Sequence, residues 1–284
     1  MSEISWVNGV ETDSISVNNR GLAYGDGLFE TIAVRAGRPQ LLDLHLQRLY
    51  LGCHKLAINL DPIKLRTELN AFIERCCVYF SGDAVVKLII CRQSSGRGYA
   101  SDPSVEASRI LTGFSSPSPD FNILQRGVAL RFCTTPISIN PSLAGMKHLC
   151  RLDNVLARGE WVNSGLPNAD FFDGLMLDDH QNVIEGTMSN LFLVKNNTLI
   201  TPSLERCGVA GVMREWVITV LAEKLNLPVT KSVLNKADLW TADELFVCNS
   251  LHKLVPVKRL GDHSWTAWPI TAMLHQLSEE LMLA

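Results

Sequence analysis

No stretch of the 284 residues approaches the ~18 uninterrupted apolar positions that a membrane-spanning helix needs. The nearest candidate, AVVKLIIC from Ala84 to Cys91, is short, contains Lys87 and reads as a strand. The opening residues, MSEISWVNGVETDS, have no basic n-region and no apolar h-region, so no secretory signal is expected. Charge is sparse and evenly spread. Charged residues make up 19% of the chain and the net charge is −3, without an acidic or basic block. Nothing points to a nucleic-acid or membrane surface. There are eight cysteines, but no C-x-x-C pair and no Cys/His spacing of the zinc kind. Cys76 and Cys77 are adjacent, a poor geometry for a structural bridge. Free thiols in a reducing cytoplasm are the expectation.

Several familiar chemical motifs are missing too. No G-x-G-x-x-G follows a strand, and no G-x-x-x-x-G-K precedes a Ser or Thr. There is no G-x-S-x-G and no H-E-x-x-H. No internal repeat is visible. What remains is an ordinary globular composition, 46% hydrophobic, with enough chain for one or two domains and a sizeable core.

Ile4 to Val10 reads as a strand entering an Asn8-Gly9 hairpin turn, with Ser14 to Val17 as a second short strand. Leu28 to Val34 has strand composition. A helix is expected from Leu42, capped by Asp43, with Leu46, Leu49 and Tyr50 as its apolar stripe. Asp61-Pro62 suits the cap and first turn of another helix reaching about Tyr79. Val85 to Cys91 and Arg109 to Phe114 read as strands on either side of the loop SSGRGYASDPS. Ser115 to Asn122 combines two prolines and three serines and is the best linker candidate. Beyond it, Val128 to Cys133, Phe172 to Leu177, Val183 to Glu185, Ser189 to Val194, Thr198 to Thr201 and Leu245 to Cys248 are strand-like. Turns fall at Asp178-Asp179 and Asn196-Asn197. Helices are expected from Val212 to about Leu225 and from Pro269 to Leu283. Hairpins interspersed with helices argue for an α+β fold rather than a doubly wound parallel sheet.

The chain is best read around LAGMKHLCRLDNVL, Leu143 to Leu156. Leu149, Leu152, Val155 and Leu156 recur at helical spacing and are expected to form one buried face. Lys147 then sits where a loop enters a helix beside an apolar wall, which disfavours the ammonium and frees the amine for Schiff-base chemistry. Most lysines near a helix start are solvated surface groups, so the company Lys147 keeps matters. Glu185, in VIEGTMSNLF, is either a solvated turn residue or a carboxylate able to hold a proton on a pyridine nitrogen. Gly208 to Gly211 lead into a helix start at Val212 and Met213, where unpaired N–H groups and the helix dipole can hold an anion. Arg48 is either a snorkelling surface residue or aimed at a phosphate. Ser250, in VCNSLHKL, is a turn hydroxyl or a further ligand. Amine, carboxylate, helix-start cradle, arginine and hydroxyl together are the parts that pyridoxal 5′-phosphate (PLP) needs. His148, next to Lys147, points away from it on a helix.

RGLAYGDGLFET, the HLQRL box with Arg48, AGMKHLCRLDNV with Lys147, IEGTMSNLF with Glu185 and GVAGVMRE with Arg214 resemble, in order and over nearly the whole chain, the fold type IV PLP-dependent enzymes. That family includes branched-chain and D-amino acid aminotransferases and aminodeoxychorismate lyases. The K-H-L-x-R-L wording after the lysine, the SSGRGY loop and the N-P-x-L-A-G-x-K approach are most similar to the lyase subgroup. Branched-chain aminotransferases carry a cofactor-contacting tyrosine five residues after the lysine, where Leu152 stands here.

The resemblance implies a two-domain fold. Residues 1–115 would form a smaller N-terminal α/β domain, residues 116–127 a linker, and residues 128–284 a larger barrel-like PLP-binding domain. It implies that Lys147 carries the cofactor and moves protons, and that Glu185 pairs with the pyridine nitrogen. Arg48, the backbone amides of Val212 and Met213, and Ser250 would bind the phosphate. Tyr24, Arg97 and Tyr99 would line the substrate side, with Arg97 suited to a carboxylate. Asn190 is expected to be structural. A homodimer acting on aminodeoxychorismate in folate biosynthesis is the expectation, with an aminotransferase as the alternative.

Overall fold

A computed structural model describes residues 3–93, 98–116, 122–162 and 171–283. The chain forms two compact units, residues 1–118 with 146–150, and residues 119–145 with 151–284. Residues 117–121 of the expected linker lie outside the described residues; residues Ile123–Arg126 form a helical turn.

The first unit is built on a six-stranded antiparallel sheet in the order Val10–Glu11, Glu3–Val7, Ser108–Ser115, Ala84–Cys91, Gly27–Arg35, Arg38–Pro39. Gly27–Arg35 and Ala84–Cys91 pair from Gly27↔Cys91 to Val34↔Ala84. Two helices, Leu42–Lys55 and Pro62–Tyr79, pack on this sheet. They bury Leu46, Leu49 and Cys53, and Leu65, Leu69, Phe72, Ile73 and Cys76, at helical spacing. The expected Asp61 cap is present, its side chain accepting from the Ile63 and Lys64 amides ahead of Pro62 in the first turn.

Two local expectations give way. The partner of the first strand is Val10–Glu11, not Ser14 to Val17, because Asn8 and Gly9 (φ 52° and 82°) turn the chain at once. Asp43 does not cap its helix either. The capping position is Leu41 in the left-handed region (φ 52°), and Asp43 pairs with Arg66 from the first turn.

The second unit contains a mixed nine-stranded sheet. Its order is Val229–Ser232, Thr198–Pro202, Asn190–Lys195, Glu244–Asn249, Lys253–Leu260, Val128–Phe132, Asp173–Leu177, Val183–Gly186, with His263–Ser264 paired to Lys253–Leu260. Val128–Phe132 runs parallel to both its neighbours. The two outer ends meet in one bridge, the Val183 amide donating to the Leu234 carbonyl at 2.8 Å, so the sheet curls into a barrel-like wall. Leu130, Leu175, Leu191, Leu245, Val247 and Val255 fill it. The helix expected from Val212 is helical over 212–224, with a π-helical segment at Val217–Leu221. The C-terminal helix is Pro269–Leu283. The fold is α+β. No helix among the described residues is long and apolar enough to cross a membrane.

The buried face expected from Leu149 to Leu156 is absent. The helix begins at Leu152 and ends at Val162. Leu152, Val155 and Leu156 are 74%, 63% and 62% exposed. Its inward side is Ala157 and Trp161, with Asn154 bonded to the Thr187 carbonyl. The apolar spacing was real, but it marks the outward side.

Candidate active site

Lys147 lies on an extended segment, not at a helix start. Arg38–Pro39 pairs with only the far end of Gly27–Arg35, at Val34 and Arg35. The near end therefore keeps an edge, and residues 146–150 take it. Phe29 N–H donates to the Lys147 carbonyl (2.9 Å), Leu149 N–H donates to the Gly27 carbonyl (3.0 Å), and Leu28 bridges His148. Backbone bonds to a central strand thus set the direction of the Lys147 side chain. Its Nζ lies 4.4 Å from the centre of the Phe29 ring.

Next along that strand, Glu30 is buried and accepts from three groups. Arg48 donates through Nε to Oε1 (2.8 Å) and through Nη2 to Oε2, and His45 Nδ1 lies 2.6 Å from Oε2. Burial alone would raise the Glu30 carboxyl, but the Arg48 charge and the hydrogen bonds from His45 and Arg48 outweigh it and hold it below the ordinary range. Burial pushes His45 down by more than Glu30 pulls it up, so a neutral ring donating from Nδ1 is favoured. The HLQRL box therefore places an arginine whose fork is fixed by a carboxylate from the strand. In the same unit the Tyr24 and Tyr99 rings meet at 5.5 Å between centroids. Arg97 lies outside the described residues.

The other expected ligands belong to the second unit. Glu185 is the third residue of the strand Val183–Gly186 and is 3% exposed. Its Oε2 accepts from the Val209 amide (2.9 Å) and from Asn190 Nδ2 (3.2 Å). The same Nδ2 donates to the Val209 carbonyl (2.9 Å), and Asn190 Oδ1 accepts from the Gly211 amide (3.0 Å). Asn190 thus ties the carboxylate to the glycine loop, the structural role expected of it. The tie requires a glycine at 211, since a Cβ there would lie 2.0 Å from Asn190 Oδ1. Gly208 is needed for a different reason, its φ of 85°. The loop is also pinned at Gly145, whose amide donates to the Gly208 carbonyl (2.9 Å) and whose carbonyl accepts from Ala210 (3.0 Å).

Val212 and Met213 open the following helix, and no side chain caps it. Those amides suit an anion with several acceptor oxygens. Arg214 turns away from that role. It is buried, and it donates to Thr201 Oγ1 and to the Pro202 carbonyl, locking the helix to a strand. Ser250 sits in the turn between Glu244–Asn249 and Lys253–Leu260. Among the described residues no group of His, Cys, Asp or Glu is arranged to hold a metal ion.

Sequence reasoning missed Asp173. It is fully buried, and its carboxylate accepts from the Gly174, Thr187 and Met188 amides and from the Thr187 and Ser189 hydroxyls. It therefore shapes the turn that brings Asn190 back to Glu185. The signal for it was slight: an acidic residue opening an otherwise apolar strand.

The first unit thus carries a lysine aligned by a strand, and the second a buried carboxylate keyed to a glycine loop and an uncapped helix start. Residues 27–260 match the model of the amino-transferase class IV family, and the chain belongs to that family. Its relatives narrow the class. An aminodeoxychorismate lyase from Vibrio harveyi is 36% identical over 258 residues, 90% of this chain and 91% of that protein. A putative branched-chain-amino-acid aminotransferase from Methanocaldococcus jannaschii is 30% identical, over 86% of this chain and 81% of that protein. Among solved structures, 4-amino-4-deoxychorismate lyase from Pseudomonas aeruginosa is 46% identical with a TM-score of 0.89, covering 97% of this chain and 98% of that one. Branched-chain amino acid aminotransferase from Escherichia coli shares the fold, with a TM-score of 0.81 at 21% identity over 99% and 95% of the two chains.

Proposed function

We propose that the protein is a PLP-dependent lyase that converts 4-amino-4-deoxychorismate to 4-aminobenzoate and pyruvate in folate biosynthesis. The observation that carries this reading is the 46% identity to a lyase of that specificity over nearly the full length of both chains. The residues present suit the cofactor. The buried Glu185 carboxylate, fixed by Asn190 and Val209, is the partner a protonated ring nitrogen needs. The Val212 and Met213 amides, Ser250 and Arg48 would hold the phosphate, Arg48 with its Nε and Nη2 kept on Glu30. When bound, PLP supplies a ring that accepts the electron pair left when a C–H bond beside nitrogen is broken.

Lys147 would hold the cofactor through Nζ at rest. With Nζ released and neutral, Lys147 would take the proton from the substrate carbon that bears nitrogen. The same Nζ would return a proton to the departing enolpyruvyl group as pyruvate forms, so it would act as base and then as acid near working pH. Glu185 would hold the proton on the ring nitrogen. Tyr24, Tyr99 and Arg97 would face the substrate, the tyrosines against its ring and the guanidinium against a carboxylate.

The assembly we propose is a homodimer. The exposed row Leu152, Val155 and Leu156 is the kind of apolar face a second copy would cover. The eight free cysteines suit a reducing cytoplasm.

The experiment is to supply purified, PLP-loaded protein with aminodeoxychorismate generated in place, without a keto-acid acceptor. Formation of 4-aminobenzoate and pyruvate in equal amounts supports the lyase. Conversion of the cofactor to its pyridoxamine form by an amino-acid donor, with no 4-aminobenzoate, would replace it with an aminotransferase.

A further inference from the structure

Arg20 opens a short helix, Arg20–Tyr24, and is only 5% exposed. Its guanidinium donates from Nε to Asp26 Oδ2 (2.8 Å). The two terminal nitrogens take three consecutive carbonyls of another loop: Nη1 donates to Gly98 (2.9 Å) and Ala100 (3.2 Å), and Nη2 to Tyr99 (3.1 Å). The Arg20 Cζ also lies 5.0 Å from the centre of the Tyr24 ring, one turn along its own helix. A buried charge is expensive unless its donors are all used, and here they are used on one short piece of backbone. Asp26 is held from its other side by Arg92, whose Nε donates to the same Oδ2 at 2.9 Å. Arg92 in turn donates to the Ala57 and Leu56 carbonyls, anchoring the assembly to the end of the first long helix.

The residues steadied by this clamp are exposed. Tyr99 is 87% exposed and Tyr24 is 43% exposed, yet their rings meet at 5.5 Å. One guanidinium fixes both, Tyr99 through its own carbonyl and those of its neighbours, and Tyr24 through the ring face. Side chains so exposed gain little stability from being ordered. Two ordered aromatic faces do, however, offer a preformed stacking surface for a flat unsaturated ring.

We propose that Arg20 is a positioning residue for substrate recognition, holding the Tyr24–Tyr99 pair as a platform for the ring of the substrate. The inference rests on the reading above that these tyrosines face the substrate. It assigns to the RGLAYGDG stretch a function in specificity rather than in cofactor binding.

The test is a double-mutant cycle on the PLP-loaded enzyme with Arg20→Lys and Tyr99→Ala, reading KM and kcat for aminodeoxychorismate, PLP content and melting temperature. Lysine keeps the charge beside Asp26 but cannot span three carbonyls. Arg20→Lys should raise KM about tenfold, the size of one lost aromatic contact, with kcat within about threefold and PLP content unchanged. In the Tyr99→Ala background the same change should add less than about twofold. An equal rise of KM in both backgrounds would overturn the inference, as would a loss of PLP or melting temperature with KM unmoved. If Tyr99→Ala alone leaves KM unchanged, it is the substrate-side reading that fails. Should Arg20→Lys not fold, Asp26→Asn loosens the same clamp with Arg92 left in place, and the cycle is read in the same way.

Discussion

Gly211→Ala tests the link between the glycine loop and the buried carboxylate. The backbone there (φ −63°, ψ 141°) accepts alanine without strain, so by backbone entropy alone the change would stabilise by about 0.4–1 kcal/mol. The side chain has nowhere to go. Its Cβ would fall 2.0 Å from Asn190 Oδ1 and 3.2 Å from Cγ, so Asn190 has to move by more than about 1 Å to restore ordinary contact. That movement breaks the bond from the Gly211 amide and disturbs both bonds from Nδ2, to Val209 and Glu185. At about 1 kcal/mol for each neutral bond and somewhat more for the charged one, the loss is about 3–4 kcal/mol, leaving a net destabilisation of about 2–3 kcal/mol. The assay is chemical denaturation of the apo-protein, with PLP affinity by absorbance titration. Asn190→Ala loses the same three bonds without the clash and should match it within about 1 kcal/mol. The double variant should then be no worse than Asn190→Ala alone, because the collision is gone. A neutral or stabilised Gly211→Ala, or additive effects in the double variant, would refute the reasoning.

Lys147→Ala should abolish turnover, and Glu185→Gln should lower turnover much more than PLP content; equal losses of both would make the glutamate structural. His45 and Glu30 both hold fewer protons folded than unfolded, their ordinary values being 6.5 and 4.5. The stability each contributes is complete above those values and is lost as the pH falls through the depressed folded ones. Melting temperature followed from pH 8 downward should therefore begin to fall near 6.5, and His45→Asn should lessen that first decline, leaving the part due to His275, which burial also lowers, and the later one; an unchanged profile would count against the buried neutral ring. Burial pushes the thiols of Cys53, Cys76, Cys133, Cys207 and Cys248 up to about 12. Brief alkylation at neutral pH should therefore reach exposed Cys150 ahead of them, and peptide mapping that finds any of the five first would contradict the packing.

Much of the architecture could be read from local signals. Asp61-Pro62 announced its helix because capping is settled within four residues. Asn196-Asn197 announced its hairpin because both residues take the left-handed turn, with φ of 50° and 59°, and Leu193 then faces Ile200. The setting of Lys147 was not readable. Its segment has no strand alternation and pairs because a distant strand keeps an edge at Gly27 to Phe29. Glu30 looked like one more strand position, since its partners His45 and Arg48 come from a later helix. Helical spacing from Leu149 to Leu156 misled because periodicity gives the width of an apolar stripe but not the side that the rest of the unit occupies.

Residues 146–150 pack with a unit whose other members ended near residue 118, while the chain on both sides of them belongs to the other unit. No single cut yields either unit whole. A fragment stopping at the first boundary would keep its sheet but expose the edge at Gly27 to Phe29, and it would lack Lys147 altogether. On the ribosome that edge must wait for some thirty further residues to emerge. Lys147 is therefore among the last parts of its own unit to be delivered, and a half-made chain can present the sheet without the segment that completes its edge.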